Sequence, residues 1–244
     1  MTMRDATRDA YWALPATQLI EALGSSGDGL AQIEAAPRLA RDGPNRLQDG
    51  NGNGALVLLR RQFSDPLVII LLLAALVSGL VGDLTDAGIV GLIVLLSAGL
   101  GFVQEYRAAV AMQRLRGVLA LRCTVLRDGV AQTLPAEQLV AGDVVLLSAG
   151  SLVPADGVLL AAKDCFVTQA ALTGETFPVE KQPGIAPPDA SLAERANCLF
   201  MSTSLRSGTA RLLIARTGAA TAFGAIAGRL RQAPPPPEFE RGTR

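Results

Sequence analysis

Ala170-Ala171-Leu172-Thr173-Gly174-Glu175-Thr176-Phe177-Pro178-Val179-Glu180-Lys181 is the run whose reading decides the rest of the chain. Gly174 permits a tight turn that a residue with a Cβ resists. Glu175 follows it at the tip. Thr173 and Thr176 flank the pair with hydroxyls able to bond the local backbone. Pro178 stiffens the exit and has no N–H to donate. The expected product is a loop at the end of a β-rich domain, with one carboxylate on a rigid, exposed finger. Such a carboxylate can orient a water molecule or accept its proton. Thr-Gly-Glu alone is an ordinary surface turn, so the surrounding chain has to carry the argument further.

The 244 residues allow one or two domains, and half of them are hydrophobic, enough for a core and a membrane segment. Acidic and basic residues balance at 22 each and aromatics are 4%, so neither charge nor base-stacking surface points to nucleic acid. There is no histidine, which excludes Ser–His and Cys–His catalysis within this chain and removes the commonest metal ligand. Cys123, Cys165 and Cys198 are far apart, form no C-x-x-C pair and read as buried reduced thiols.

Two apolar runs, 66–82 and 87–103, hold eleven Leu, Ile or Val and ten Leu, Ile, Val or Phe respectively. Eleven such residues favour insertion by roughly 3–7 kcal/mol, whereas each of Asp83 and Asp86 between the runs costs about 2.5–3.5 kcal/mol at a bilayer centre. The aspartates therefore belong at a surface, and the runs form a transmembrane hairpin. Seventeen residues rise about 25 Å, so Phe63 and Gln104 are expected to help complete the spans. Arg60 and Arg61 before the hairpin, and Arg107, Arg114 and Arg116 after it, put both ends in the cytoplasm. Residues 104–120 read as a helix continuing out of the second span.

The segment 1–60 has no apolar stretch near Met1 and predicts no cleavable signal peptide. Tyr11, Trp12, Leu14, Leu19, Ile20 and Leu23 recur at near-helical spacing, and 25–29 is a flexible break. Leu30, Ile33, Leu39 and Leu47 predict a second short helix, ended by Gly43-Pro44 and kinked or split at Pro37. By periodicity this is a small helical pair and nothing more. Asp49 to Gly54 is a turn-rich linker.

From 121 to 215 the period changes. Cys123–Leu126 and Val130–Leu134 flank Arg127-Asp128-Gly129, a hairpin pattern. Val144–Leu147 is opened by Gly142-Asp143, Val158–Leu160 by Pro154-Ala155-Asp156-Gly157. Leu199–Met201 and Ala210–Ala215 complete a set of short strands that suggests a small sandwich or distorted jelly roll. The Ala233–Pro237 tail is extended.

Several of these stretches share one resemblance. Leu172-Thr173-Gly174-Glu175-Thr176-x-Pro178-Val179-x-Lys181 resembles the signature loop of the actuator domain of P-type cation-transporting (E1-E2) ATPases. Leu139-Val140-x-Gly142-Asp143-Val144-Val145, Val153-Pro154-Ala155-Asp156-Gly157, Ser207-Gly208-Thr209-Ala210 and Thr217-Gly218-x-x-Thr221-x-Phe223-Gly224 are similar to further pieces of that domain. Gly43-Pro44-Asn45-Arg46-Leu47 and Gln104-Glu105-Tyr106-Arg107-Ala108 resemble the family's N-terminal segment and the stalk after its second membrane helix. Phe63-x-x-Pro66-Leu67-Val68 and Leu172-Thr173-Gly174-Glu175-x-Phe177-Pro178-Val179 look closest to the magnesium-translocating subgroup, although calcium and proton pumps share much of both. The matching stretches cover about residues 10–243.

The resemblance implies a mixed fold: a transmembrane α-helical hairpin plus a small all-β, distorted jelly-roll actuator domain with short flanking helices. The expected divisions are 1–60 (cytosolic N-terminal segment), 61–106 (hairpin), 107–232 (actuator) and 233–244 (linker toward a third membrane helix). It also implies a plasma-membrane, multi-pass protein. In a full family enzyme Glu175 positions the water that hydrolyses an aspartyl-phosphate, with Thr173, Gly174 and Thr176 shaping its loop. ATP and Mg2+ belong to that full enzyme, and none is expected on this chain alone. No Asp-Lys pair occurs, and neither Lys163 nor Lys181 is followed by Ser or Thr, so both the phosphorylated Asp and a Walker A loop are missing. Alone, the chain is expected neither to hydrolyse ATP nor to pump ions. Its expected partners are the lipid bilayer and the missing phosphorylation, nucleotide-binding and later membrane domains, in cis or in trans. The alternatives are a truncated, non-catalytic membrane module that binds or complements a pump, and a membrane-anchored β-domain unconnected with pumps. Ser151, Ser202 and Pro37 depart from the family pattern, where an acidic residue, a glycine and an unbroken helix are commoner. Such departures fit relaxed constraint on a shortened product.

Overall fold

A computed structural model describes residues 10–47, 66–81, 84–118 and 121–232. The linker Asp49–Gly54, the residues Arg60, Arg61 and Asp83, and the tail after residue 232 lie outside them. The described residues fall into two units, 10–47 with 121–232 and 66–81 with 84–118.

The second unit is two helices that pack against each other, α3 (Pro66–Val81) and α4 (Leu84–Val118); α1 (Ala16–Ala22) and α2 (Gln32–Asp42) belong to the first unit. Large apolar side chains stand exposed along both, among them Leu73, Leu76 and Leu80 on α3 and Leu92, Leu95 and Leu96 on α4. A helix apolar all round suits lipid better than a half-buried position in a soluble core. Gly88–Ala108 within α4 is long and apolar enough to cross a membrane, while the apolar stretch Val68–Val81 of α3 is shorter. The structure thus supports one span by length, where the sequence predicts two. The cytoplasmic continuation expected at 104–120 is the same unbroken helix as the span. That helix starts at Leu84, so residue 86 falls within its first turn.

The first unit is a seven-stranded antiparallel sheet with helices. Its strands are β1 (Arg122–Arg127), β2 (Val130–Pro135), β3 (Val144–Ser148), β4 (Asp156–Thr168), β5 (Val179–Glu180), β6 (Cys198–Leu199) and β7 (Ser204–Arg216), in the order β2-β1-β3-β7-β4-β5 with β6 on β4. The predicted β1–β2 hairpin forms, with Asp128 at φ 49° and Gly129 at φ 75° as its two-residue turn. Two positive φ values in sequence give the twist that antiparallel strands favour. Where the sequence suggests only short strands, β4 and β7 run 13 residues each. Their pairing slips at four points along β4. Each slip breaks the two-residue alternation, so a long strand reads as several short ones. Two of the four slips coincide with glycines that tolerate no side chain: a Cβ on Gly157 would lie 2.2 Å from the Leu213 carbonyl oxygen, and one on Gly208, opposite the slip after Lys163, 2.1 Å from the Lys163 carbonyl oxygen.

Both faces of the sheet are buried. Val145, Leu159, Leu212 and Ile214 enter one core, and Val144, Val158 and Leu213 the other. Burial on both sides explains why β3 and the end of β7 are continuously apolar. The second core also holds Tyr11, Trp12 and Leu19. The N-terminal segment is therefore a cover for one face of the sheet rather than a free helical pair. It contains a short 3-10 turn (Tyr11–Ala13), α1 (Ala16–Ala22) and α2 (Gln32–Asp42). Pro37 lies inside α2 without splitting it. Tertiary bonds hold the helix across it: next to Pro37, Arg38 donates to the carbonyls of Leu23 (2.6 Å), Ala141 (3.0 Å) and Gly24 (3.1 Å). Ile33, expected on a core face, is 85% exposed, whereas Leu30 just before the helix is fully buried. The last helix, α6 (Ala222–Gln232), starts at Thr221, whose hydroxyl accepts the Gly224 N–H (3.0 Å) as a cap.

Candidate functional site

β4 ends at Thr168, and Val179-Glu180 returns to pair with Val167 and Phe166 of the same strand. Residues 169–178 are thus an excursion pinned at both ends to one strand. Gln169 opens it and a single helical turn follows, α5 (Ala170–Thr173). Gly174 closes that turn in the left-handed conformation, φ 76°, donating its N–H to the Ala170 carbonyl at 2.9 Å. A Cβ there would meet nothing within 4 Å, so the glycine is required by its backbone angle and not by crowding.

Glu175 follows directly and is exposed. Its backbone N–H lies 3.4 Å from the Thr173 hydroxyl, which in turn donates to the Gln169 carbonyl at 3.3 Å. Thr173 therefore does what its sequence position predicts. Thr176 does not: it is exposed, with no hydrogen bond to its hydroxyl among the described residues. No ion pair or side-chain hydrogen bond restrains the Glu175 carboxylate among the described residues. Phe177 beside it is 78% exposed, an apolar tip next to the acid. The four predicted residues are contiguous in space as in sequence, on one projecting turn.

The base of the loop is rigid. Lys181 is buried, its backbone N–H on the Cys165 carbonyl (2.8 Å) and its ammonium on the Arg195 carbonyl (2.9 Å), 5.6 Å from the Phe200 ring centre. Burial lowers its pKa, against the opposing pull of Cys198 and Cys165. The three cysteines are free and buried, and burial pushes the thiols of Cys123 and Cys198 up to about 12.

Other motif residues are structural. Asp143 takes a bidentate ion pair from Arg127, 2.8 Å on each oxygen, and the Val140 N–H at 2.9 Å, all buried. Asp156 accepts the N–H groups of Met201 (2.7 Å) and Ala222 (2.6 Å). Burial raises its pKa, opposed first by those two N–H groups. Asn45 donates to the carbonyls of Ala136 (2.9 Å) and Pro154 (3.0 Å) and accepts the Gly218 N–H (2.8 Å), stapling the N-terminal segment to the β-domain. The sequence shows only an Asn directly after Gly43-Pro44, which does not reveal these distant partners.

Among the described residues no three His, Cys, Asp or Glu converge as metal ligands. Of the two lysines, Lys163 sits mid-strand in β4 and Lys181 is committed to the Arg195 carbonyl.

Residues 118–231 match the family model of the P-type ATPase actuator domain, and residues 11–78 that of the cation transporter/ATPase N-terminus. Probable cation-transporting ATPase F of Mycobacterium tuberculosis is 37% identical over 218 residues, 89% of this chain and 24% of the relative. The calcium-transporting ATPase of Bacillus subtilis is 37% identical over 219 residues, 89% and 25%. The magnesium-transporting ATPase, P-type 1, of Escherichia coli is 35% identical over 237 residues, 94% and 26%. The chain spans about a quarter of the length of these relatives. With an exposed acid on a glycine-capped turn of an antiparallel domain and an apolar helix beside it in sequence, the chain belongs to the P-type cation-transporting ATPases, membrane proteins of which it carries the N-terminal and actuator portion.

Proposed function

We propose that this chain is the part of a P-type pump that couples aspartyl-phosphate hydrolysis to ion translocation. The observation that carries it is the Glu175 turn, pinned to β4 at both ends, with its carboxylate exposed and unrestrained. Seated against a phosphorylated partner domain, Glu175 aligns a water for attack and takes its proton, while Thr173 and Gly174 hold the turn and Thr176 lines it. Phe177 meets the same partner surface. ATP and Mg2+ are held by the phosphorylation and nucleotide-binding domains, supplied in cis or in trans.

The helices α3 and α4 form a membrane hairpin in the plasma membrane, with both termini cytoplasmic, and the actuator's movement is transmitted to them. Arginines on both outer flanks and aspartates between the runs support this orientation. The cargo we propose is Mg2+. The wording of Phe63–Val68 and Thr173–Val179 supports it, as does the long stretch shared with the magnesium-transporting relative.

The test is Glu175→Gln in a complete pump carrying this chain as its N-terminal part. The phosphoenzyme should form normally and decay roughly a hundredfold more slowly, the usual size of a lost general base. Unchanged decay removes Glu175 from the mechanism. Vesicle uptake of Mg2+ against Ca2+ decides the cargo.

A further inference from the structure

Nine polar or charged residues are buried in the described structure: Asn45, Arg127, Asp143, Asp156, Gln169, Lys181, Asn197, Thr203 and Thr221. Eight of them use their side chains in hydrogen bonds. Gln169 does not. It is 1% exposed, and both its amide oxygen and its amide nitrogen lack a partner. A primary amide can donate twice and accept twice, and burying it unpaired is unfavourable where an apolar side chain of the same size is not. Native domains hold few such groups.

The position of this one is informative. The Gln169 carbonyl accepts the N–H of Leu172 (2.9 Å), the N–H of Thr173 (3.1 Å) and the Thr173 hydroxyl (3.3 Å). It is thus the residue on which the Glu175 turn is built. The strand before it is fixed by pairing to β7, and Val179 after it by pairing to β4. Between them lie one helical turn, a glycine in open space and four exposed residues, Glu175 to Pro178. That turn has room to re-form, and the amide stands at its pivot.

We propose that Gln169 is a positioning residue for Glu175. When the loop seats on its partner domain, the turn shifts and the Gln169 amide gains its hydrogen bonds, so the working geometry of Glu175 is the one this amide holds. The proposal rests on the reading of Glu175 given above.

Gln169→Leu, and Gln169→Met with nearly the original length, separate it from a purely structural role. In the 244-residue chain both variants should raise the melting temperature, by about 2–4 °C. In a complete pump carrying this chain they should slow phosphoenzyme decay by roughly ten- to hundredfold, the cost of a misplaced group, with formation from ATP unchanged. A lowered melting temperature in both variants means the amide is already bonded in the free chain and overturns the proposal. So does unchanged decay. Glu175→Gln measured alongside tells the two readings apart. If it slows decay and the Gln169 variants do not, only the role of Gln169 falls. If it too leaves decay unchanged, both fall.

Discussion

The Glu175 turn and the buried girdle of Asn45, Asp143 and Asp156 are written in equally characteristic residues, yet they are bonded in opposite ways. The girdle residues are 3% exposed or less, and every carboxylate oxygen and amide atom named there has a protein partner. From Glu175 to Pro178 the turn is exposed throughout, and its acid has no partner among the described residues. Polar groups saturated inside a fold hold it together. A polar group left unsaturated on a rigid base is available to something outside. A sequence signature marks both without distinguishing them.

The sharpest way to break the comparison is Asp143→Ala. It leaves the Arg127 guanidinium buried without its counter-ion and should cost about 3–5 kcal/mol, read from urea denaturation. A loss as small as that of an exposed ion pair would erase the contrast between girdle and turn. Asn45→Ala is expected to cost about 2–3 kcal/mol, because two carbonyls and one N–H lose their partner together. It should also loosen the N-terminal cover, seen as faster amide exchange at Tyr11 and Trp12, whose side chains lie in the shared core.

Two changes should stabilise instead. Pro37→Ala restores a helix-interior N–H and should add about 2 kcal/mol, the helical penalty of proline less the entropy it removes from the unfolded chain. Ser202 sits at φ 70°, where a non-glycine residue is strained, so Ser202→Gly should add about 1 kcal/mol. Absence of both gains in thermal melts would count against reading these departures as relaxed constraint.

A further prediction is alkaline. The Cys123 thiol is held at about 12 in the fold, chiefly by burial, against an ordinary value near 9. A group raised on folding contributes stability that is complete below its unfolded value. That contribution is lost as pH rises toward the folded value, because the unfolded chain sheds the proton first. Stability should therefore decline from about pH 9 upward, and Cys123→Ala should flatten the decline in urea midpoints measured at pH 8 to 11. Glu175 variants should leave all of these stability measurements unmoved.

Much of this was legible from residues alone. Gly174 and Glu175 predicted an exposed, glycine-capped turn, since a left-handed angle is a local demand that one residue type meets. Asp128-Gly129 predicted the hairpin for the same reason, and continuous Leu, Ile and Val predicted apolar helices. What stayed hidden depends on partners distant in the chain. Asn45 bonds to residues 91 and 109 positions away, and no period or spacing records that. The length of β4 and β7 was masked because each slip in their register interrupts the alternation by which strands are read. Pro37 reads as a break, yet Arg38, bonded to the carbonyls of Leu23, Gly24 and Ala141, carries the helix past it. By itself the sequence determined which local conformations were available, because these follow from sterics within a few residues. Only the tertiary structure decided which polar residues are saturated and which stand ready, because that is settled by what folds against them.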